Sequence, residues 1–174
     1  PADTKEILID ALGDAFPYRE TRSSQQAYLR QAIERGELAS KPGLQGLLRT
    51  IEDLGLKKAI ATSTHRPSAL RKLSGVEMKE VFDTIVCGDD VQNGKPAPDI
   101  FLEAARRLGV LPERCVVFED SDAGASAAHA ADMKVIVVPD LKEPGEETRA
   151  IVWRVFPSLH AAACFLTTVC HDDS

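Results

Sequence analysis

Three short strings carry residue types and spacings suited to chemistry on a phosphorylated molecule. The first, Thr62-Ser63-Thr64-His65-Arg66, directly follows the apolar run Ala59-Ile60-Ala61. Hydroxyls and backbone N–H groups at the end of a strand, before a helix, suit an oxyanion. They equally suit a helix N-cap, which Ser and Thr provide routinely. The second is Gly94-Lys95-Pro96-Ala97-Pro98-Asp99, where two prolines stiffen the backbone after a lysine. A lysine on a stiff loop is a fixed positive charge for a phosphate; the alternative is a solvated lysine in a turn. The third is Phe118-Glu119-Asp120-Ser121-Asp122-Ala123-Gly124, with three carboxylates within four residues. Grouped oxygen ligands suit Mg²⁺, which takes one or two protein carboxylates plus waters and substrate phosphate. Helix capping is the alternative, above all for Asp122. Together the strings offer hydroxyl, ammonium and carboxylates, the set that phosphoryl transfer uses for charge neutralisation and orientation.

The elements that must position these groups follow from hydrophobic periodicity. The stretch 3–36 reads as helices. Asp3 or Thr4 caps a first helix through Ile7, Leu8, Ala11 and Leu12 that stops at Gly13. A second starts near Thr21 and carries Ala27, Tyr28 and Ile33, with Arg22, Gln25, Arg30 and Glu34 on its polar faces. From Lys41 the texture changes. Pro42-Gly43 opens a helix through Leu44, Leu47, Leu48, Ile51 and Leu54. Strands are predicted at 59–61, 84–87, 115–118 and 135–138, and helices at 68–73, 98–108, 122–132 and 159–166. Short apolar strands alternating with amphipathic helices predict an α/β fold, a parallel sheet with right-handed crossovers. Strands that are apolar throughout suit a sheet covered on both faces. In such sheets the ligand site lies beyond the carboxyl ends of the strands, where all three strings fall.

Composition narrows the partners. The 174 residues are 44% hydrophobic and 28% charged, an ordinary globular balance. The net charge is −6 and no Lys/Arg block stands out, which argues against nucleic acid or an anionic membrane as partner. No run approaches the roughly 18 apolar residues of a membrane span. Cys87, Cys115, Cys164 and Cys170 form no CxxC pair and read as buried free thiols of a reducing cytoplasm.

The three strings, in this order, resemble the haloacid dehalogenase (HAD) superfamily, in the branch holding β-phosphoglucomutase and small sugar-phosphate or phosphoglycolate phosphatases. Ile60-Ala61-Thr62-Ser63-Thr64 matches that family's second motif, Gly94 to Phe101 its lysine motif, and Phe118 to Gly124 its acidic metal motif. The resemblance implies a HAD-like Rossmannoid parallel sheet with flanking helices. Residues 1–40 would be part of a small helical cap and 41–174 the core domain. It implies that Thr62 hydrogen-bonds the transferring phosphoryl group, with Ser63 in the same tip. Lys95 would bridge that group and a nucleophilic aspartate, and Glu119 and Asp120 would hold Mg²⁺. Thr64, His65 and Arg66 align with positions that contact the far end of the substrate, though they depart from the Lys-Asn pair of the mutases. Arg30 aligns loosely with a cap residue that reaches the substrate, and reads equally well as a surface arginine.

One departure outweighs the others. The family's first motif, Asp-Xaa-Asp at the end of the central strand, supplies the nucleophile, and no apolar strand followed by Asp-Xaa-Asp precedes residue 41. Asp3, Asp10 and Asp14 lie in predicted helices, and Asp120-Ser121-Asp122 occupies the metal-motif position. The expectation is that the strand between the second-motif and fourth-motif strands is missing, and that the chain is the later part of a longer polypeptide. The missing segment would come from the same polypeptide or another chain. The expected function is an Mg²⁺-dependent phosphatase of a small phosphorylated metabolite, acting through an aspartyl-phosphate and inactive as this chain alone. The alternatives are a phosphomutase and a catalytically inactive HAD-like fragment.

Overall fold

The computed structural model describes residues 4–172, with side chains described over 8–170. Asp3 as a helix cap and the acidic end at Asp173-Ser174 lie outside the described residues. Contacts divide the chain into two compact units, Pro1–Ala39 and Ser40–Ser174.

The first unit is a helical pair, α1 (Thr4–Leu12) and α2 (Tyr18–Glu34). α1 ends where predicted, because Gly13 takes φ +88°, a left-handed turn that costs glycine little. α2 starts three residues before the predicted Thr21 and buries none of its residues. Tyr28, predicted on its apolar side, is exposed.

The second unit runs α3 (Leu44–Asp53), β1 (Ala59–Thr62), α4 (Arg66–Gly75), β2 (Thr84–Cys87), α5 (Asp99–Leu108), β3 (Val116–Glu119), α6 (Asp122–Ala130), β4 (Lys134–Val137), α7 (Glu146–Ile151), β5 (Arg154–Val155) and α8 (Leu159–Asp172). The four predicted strands are present within a residue of their predicted bounds; β5 and α7 are additions. Every strand pairing is parallel. The strands fall into two sheets, β1–β2 and β3–β4–β5, and β1 and β3 are not hydrogen-bonded to each other.

A single apolar cluster nevertheless spans both sheets. Ala59 and Ala61 of β1, Val86 of β2, Val117 of β3 and Val135 and Val137 of β4 pack with Ile100, Phe101, Ala104 and Ala105 of α5 and the alanines of α6. The alternate residues Ile136 and Val138, with Val116 and Phe118 beside them, face a second cluster built by Leu47 of α3 and by Leu159, Ala162, Ala163 and Leu166 of α8. Successive residues of one strand thus enter opposite cores, which is why β3 and β4 read as unbroken apolar runs. The small alanines of α6 let that helix lie close on the sheet. No helix among the described residues is long and apolar enough to cross a membrane. No disulfide joins these cysteines; Cys87 is buried, Cys115 and Cys170 are half-buried, and Cys164 is exposed, against the expectation for that one. Leu159 to Asp172 is one amphipathic helix, so Cys164 falls on the side opposite Ala162, Ala163 and Leu166.

Candidate active site

The first and third strings emerge at the carboxyl ends of β1 and β3, and the lysine string lies on the connection from β2 to α5. Thr62 closes β1 and is half-buried; its Oγ1 accepts the Thr64 amide at 3.2 Å, so the hydroxyl stabilises its own turn. Ser63 is exposed and Thr64 half-buried. The turn is held from the side by β2. Gly88 N donates to Thr64 O at 3.1 Å, and Gly88 approaches so closely that a Cβ there would stand 2.5 Å from Ser63 O. Because the obstacle is backbone, it cannot swing away. Gly88→Ala is therefore expected to lower the unfolding free energy by about 1–3 kcal/mol, read as a fall in the urea midpoint at unchanged slope.

Lys95 joins the tips. Its ammonium donates to Ala61 O at 3.4 Å, one residue before Thr62, and forms an ion pair with Glu119 Oε1 at the end of β3. It also lies 4.7 Å from the ring centre of Phe101 on α5. Both partners are largely withdrawn from water, with 13% of the Lys95 side chain and 8% of the Glu119 side chain exposed. The other carboxylate oxygen of Glu119 accepts from Ser121 Oγ at 3.0 Å, and Ser121 Oγ in turn caps α6 by accepting Gly124 N at 3.1 Å. Gly124 is the floor under this carboxylate: a Cβ there would come within 2.1 Å of it. So the glycine of the acidic motif is required by close approach, and the serine by capping.

Asp120 is exposed, and among the described residues its carboxylate enters no hydrogen bond or ion pair. It lines a cleft of about 270 Å³ with Ser121, Asp122 and segment 140–144. Asp122 is engaged elsewhere. Its Oδ1 accepts from Thr148 Oγ1 at 2.6 Å and from Gly145 N at 3.2 Å, and these donors hold its carboxyl below the usual carboxylate range. The donor set fits Mg²⁺ bound with waters: two neighbouring carboxylates, Glu119 and Asp120, one of them open to solvent. Among the described residues no three His, Cys, Asp or Glu side chains cluster as a complete metal cage.

Within the second unit, His65 and Arg66 have other partners. His65 caps α4 and is exposed, with Nδ1 3.9 Å from Asp89. Arg66 is committed to structure. Its guanidinium donates to Asp90 through Nε and a terminal nitrogen, and to Ile85 O at 2.9 Å, while its amide meets Asp89. Arg107 reaches the same Asp90 carboxylate at 3.2 Å. Arg66 therefore ties α4 to the end of β2, a role invisible in the sequence because its partner lies 24 residues away. Arg30 is exposed on α2 of the first unit. Sequence reasoning passed over Asp90 and Thr148 altogether; neither stands in a motif, and only burial marks Thr148.

The Asp90 hub has a pH signature. The Arg66 hydrogen bond, then the Cys87 amide, hold its carboxyl below its ordinary 3.8. A depressed folded value contributes stability that is fully present above the unfolded value and is lost as pH falls through the folded one. Stability is thus expected to decline on acidification below about pH 4, and Asp90→Asn to flatten that part of the profile, measured by urea unfolding from pH 6 to pH 2.5.

Comparison with known proteins accounts for this arrangement. A family model described as haloacid dehalogenase-like hydrolase matches residues 4–138. The protein named CbbY of Rhodobacter capsulatus is 36% identical over 145 residues, 82% of this chain and 63% of its own. The phosphorylated carbohydrates phosphatase of Thermotoga maritima is 42% identical over 99 residues, 57% of this chain and 46% of its own. The chain thus spans about half the length of these curated relatives. The crystal structure of a putative β-phosphoglucomutase from Thermotoga maritima superposes with a TM-score of 0.78 at 30% identity, covering 97% of this chain and 79% of that one. A parallel α/β core, a lysine joining two strand tips and a match over most of the length have one common explanation: the chain belongs to the haloacid dehalogenase-like hydrolase family.

Proposed function

We propose that the chain is the later part of an Mg²⁺-dependent phosphatase acting on a small phosphorylated metabolite, of the sugar-phosphate or phosphoglycolate kind. The observation that carries this reading is the Lys95 bridge from the tip of β1 to Glu119 at the tip of β3. It concentrates an ammonium, a threonine tip and two carboxylates on one rim, which suits a tetrahedral dianion. In this reading Thr62 and Ser63 bind the phosphoryl oxygens, and Lys95 offsets their charge. Glu119 and Asp120 hold Mg²⁺, which when bound supplies further charge neutralisation at the phosphoryl group. Thr64 and His65 line the approach; Arg66 supports the turn through Asp90.

The nucleophile is a carboxylate outside this chain, supplied by a strand between β1 and β3. The lack of pairing between those two strands supports that position, and so does the greater length of the relatives. Its oxygen attacks phosphorus while the bond to the leaving alcohol breaks; water then attacks the acyl phosphate, releasing phosphate and regenerating the carboxylate. Residues 1–40 are part of a helical cap and 41–174 the core domain in this reading. Cysteines that are not joined in disulfides support a reducing cytoplasm as its compartment. The likeness to a putative β-phosphoglucomutase favours one second reading, a phosphomutase with the same covalent step and a sugar as acceptor.

The test is phosphate release from a panel of sugar phosphates and phosphoglycolate, with and without Mg²⁺. It compares the 174-residue chain with the polypeptide extended upstream. The expected result is Mg²⁺-dependent release by the longer polypeptide alone. Equal activity of the short chain would refute the external nucleophile. Isomerised sugar phosphate, formed only with a bisphosphate activator, would establish the mutase instead.

A further inference from the structure

Asp122 stands two residues beyond Asp120, yet its carboxylate turns to a different element. It accepts Gly145 N at 3.2 Å, and Gly145 is the N-cap of α7; it accepts Thr148 Oγ1 at 2.6 Å, from the first turn of that helix. One carboxylate of the β3 tip thus caps a helix 23 to 26 residues away. Thr148 is 4% exposed and is the buried polar residue of the core among those described. A hydroxyl so buried is costly unless bonded, so the latch is strongly held in place once formed. Lys142, at 3.5 Å from Asp122 Oδ2, adds an exposed third contact. Segment 140–144, which contains Lys142 and leads into Gly145, is the wall that faces Asp120 and Ser121 across the 270 Å³ cleft. The same wall is fixed at its other end by Lys41, whose ammonium donates to Val138 O at 3.1 Å and Pro139 O at 2.9 Å.

We propose that Asp122 is a positioning residue: latched to Thr148 and Gly145, it holds the Asp120–Ser121 turn against the 140–144 wall and so sets the affinity of the acidic corner for a divalent cation. This rests on the Mg²⁺ reading above. Thr148 contacts neither Glu119 nor Asp120 through any hydrogen bond, so an effect of its substitution on cation binding has to pass through Asp122.

The test is calorimetric titration of the full polypeptide with Mg²⁺, beside urea unfolding. Thr148→Val removes the hydroxyl at nearly constant volume. It is expected to weaken Mg²⁺ binding roughly tenfold, the usual scale for loss of a group that orients a metal ligand, and Thr148→Ser is expected to restore it. A Thr148→Val protein that is less stable but binds Mg²⁺ like the parent would overturn the proposal. Reciprocity supplies a check that needs no variant. If the latch strengthens cation binding, the cation must strengthen the latch by the same factor. Saturating Mg²⁺ should therefore slow hydrogen exchange at the Gly145 amide in the parent, and unchanged exchange there would also overturn it. A parent that binds no Mg²⁺ is a distinct result, since it removes the metal reading itself and the positioning role with it.

Discussion

Lys95→Met is expected to reduce turnover of the full polypeptide roughly 10²–10³-fold, the scale on which a group stabilising transition-state charge is missed. The methionine keeps the volume of the stem beside Phe101 but carries no charge to the rim. Stability is expected to fall as well, because Glu119 is left 8% exposed without its ion partner. Removing one member of a buried pair costs about 3 kcal/mol. The two losses are separable. Adding Glu119→Gln neutralises the stranded carboxylate, so the double variant should regain most of the urea midpoint while its turnover stays low. Phosphate release by Lys95→Met at near the parental rate would remove Lys95 from the chemistry and leave it a structural cation.

Asp120→Asn should behave in the opposite way. Its carboxylate is exposed and bonded to nothing among the described residues, so the unfolding free energy should stay within about 0.5 kcal/mol of the parent. Turnover should drop roughly 10²-fold or more, with a raised Mg²⁺ requirement. Stability and activity thus part company at Asp120 and move together at Lys95. The reason is burial: one group is fixed by its neighbours, the other is open for a ligand. An Asp120→Asn protein with parental turnover and Mg²⁺ response would refute the metal assignment.

The comparison of Arg66 with Lys95 shows how far residue type and position carry. Both are cations inside the strings, and the resemblance brings both to the substrate. Lys95 is drawn to the strand tips. Arg66 is neutralised by Asp90, which the chain delivers from the end of β2. Nothing in the string Thr64-His65-Arg66 announces that partner. Asp120 and Asp122 differ in a similar way: the sequence reads Asp122 above all as a cap and Asp120 as a metal ligand, without naming the helix that Asp122 serves. The structure separates them because α7 presents a buried hydroxyl and an amide to Asp122 and nothing to Asp120.

The elements missed have a shared cause. α7 has six residues and β5 has two, too short for either the 3.6-residue or the 2-residue period to register. α2 begins directly after Pro17, which disfavours helical backbone at the residue before it and so bounds the helix on that side.

Order along the chain, by itself, determined the alternation of strands and helices, the rim on which polar residues gather, and the family resemblance. These depend on local periodicity and on short contiguous strings, which survive in one dimension. Tertiary structure alone decided that the strands divide into two sheets, that Lys95 closes the distance between them, that Arg66 serves the scaffold, and that Asp122 reaches α7. Those outcomes are pairings between residues 23 to 34 positions apart. Such pairings are selected by which faces pack together, a choice no local pattern encodes.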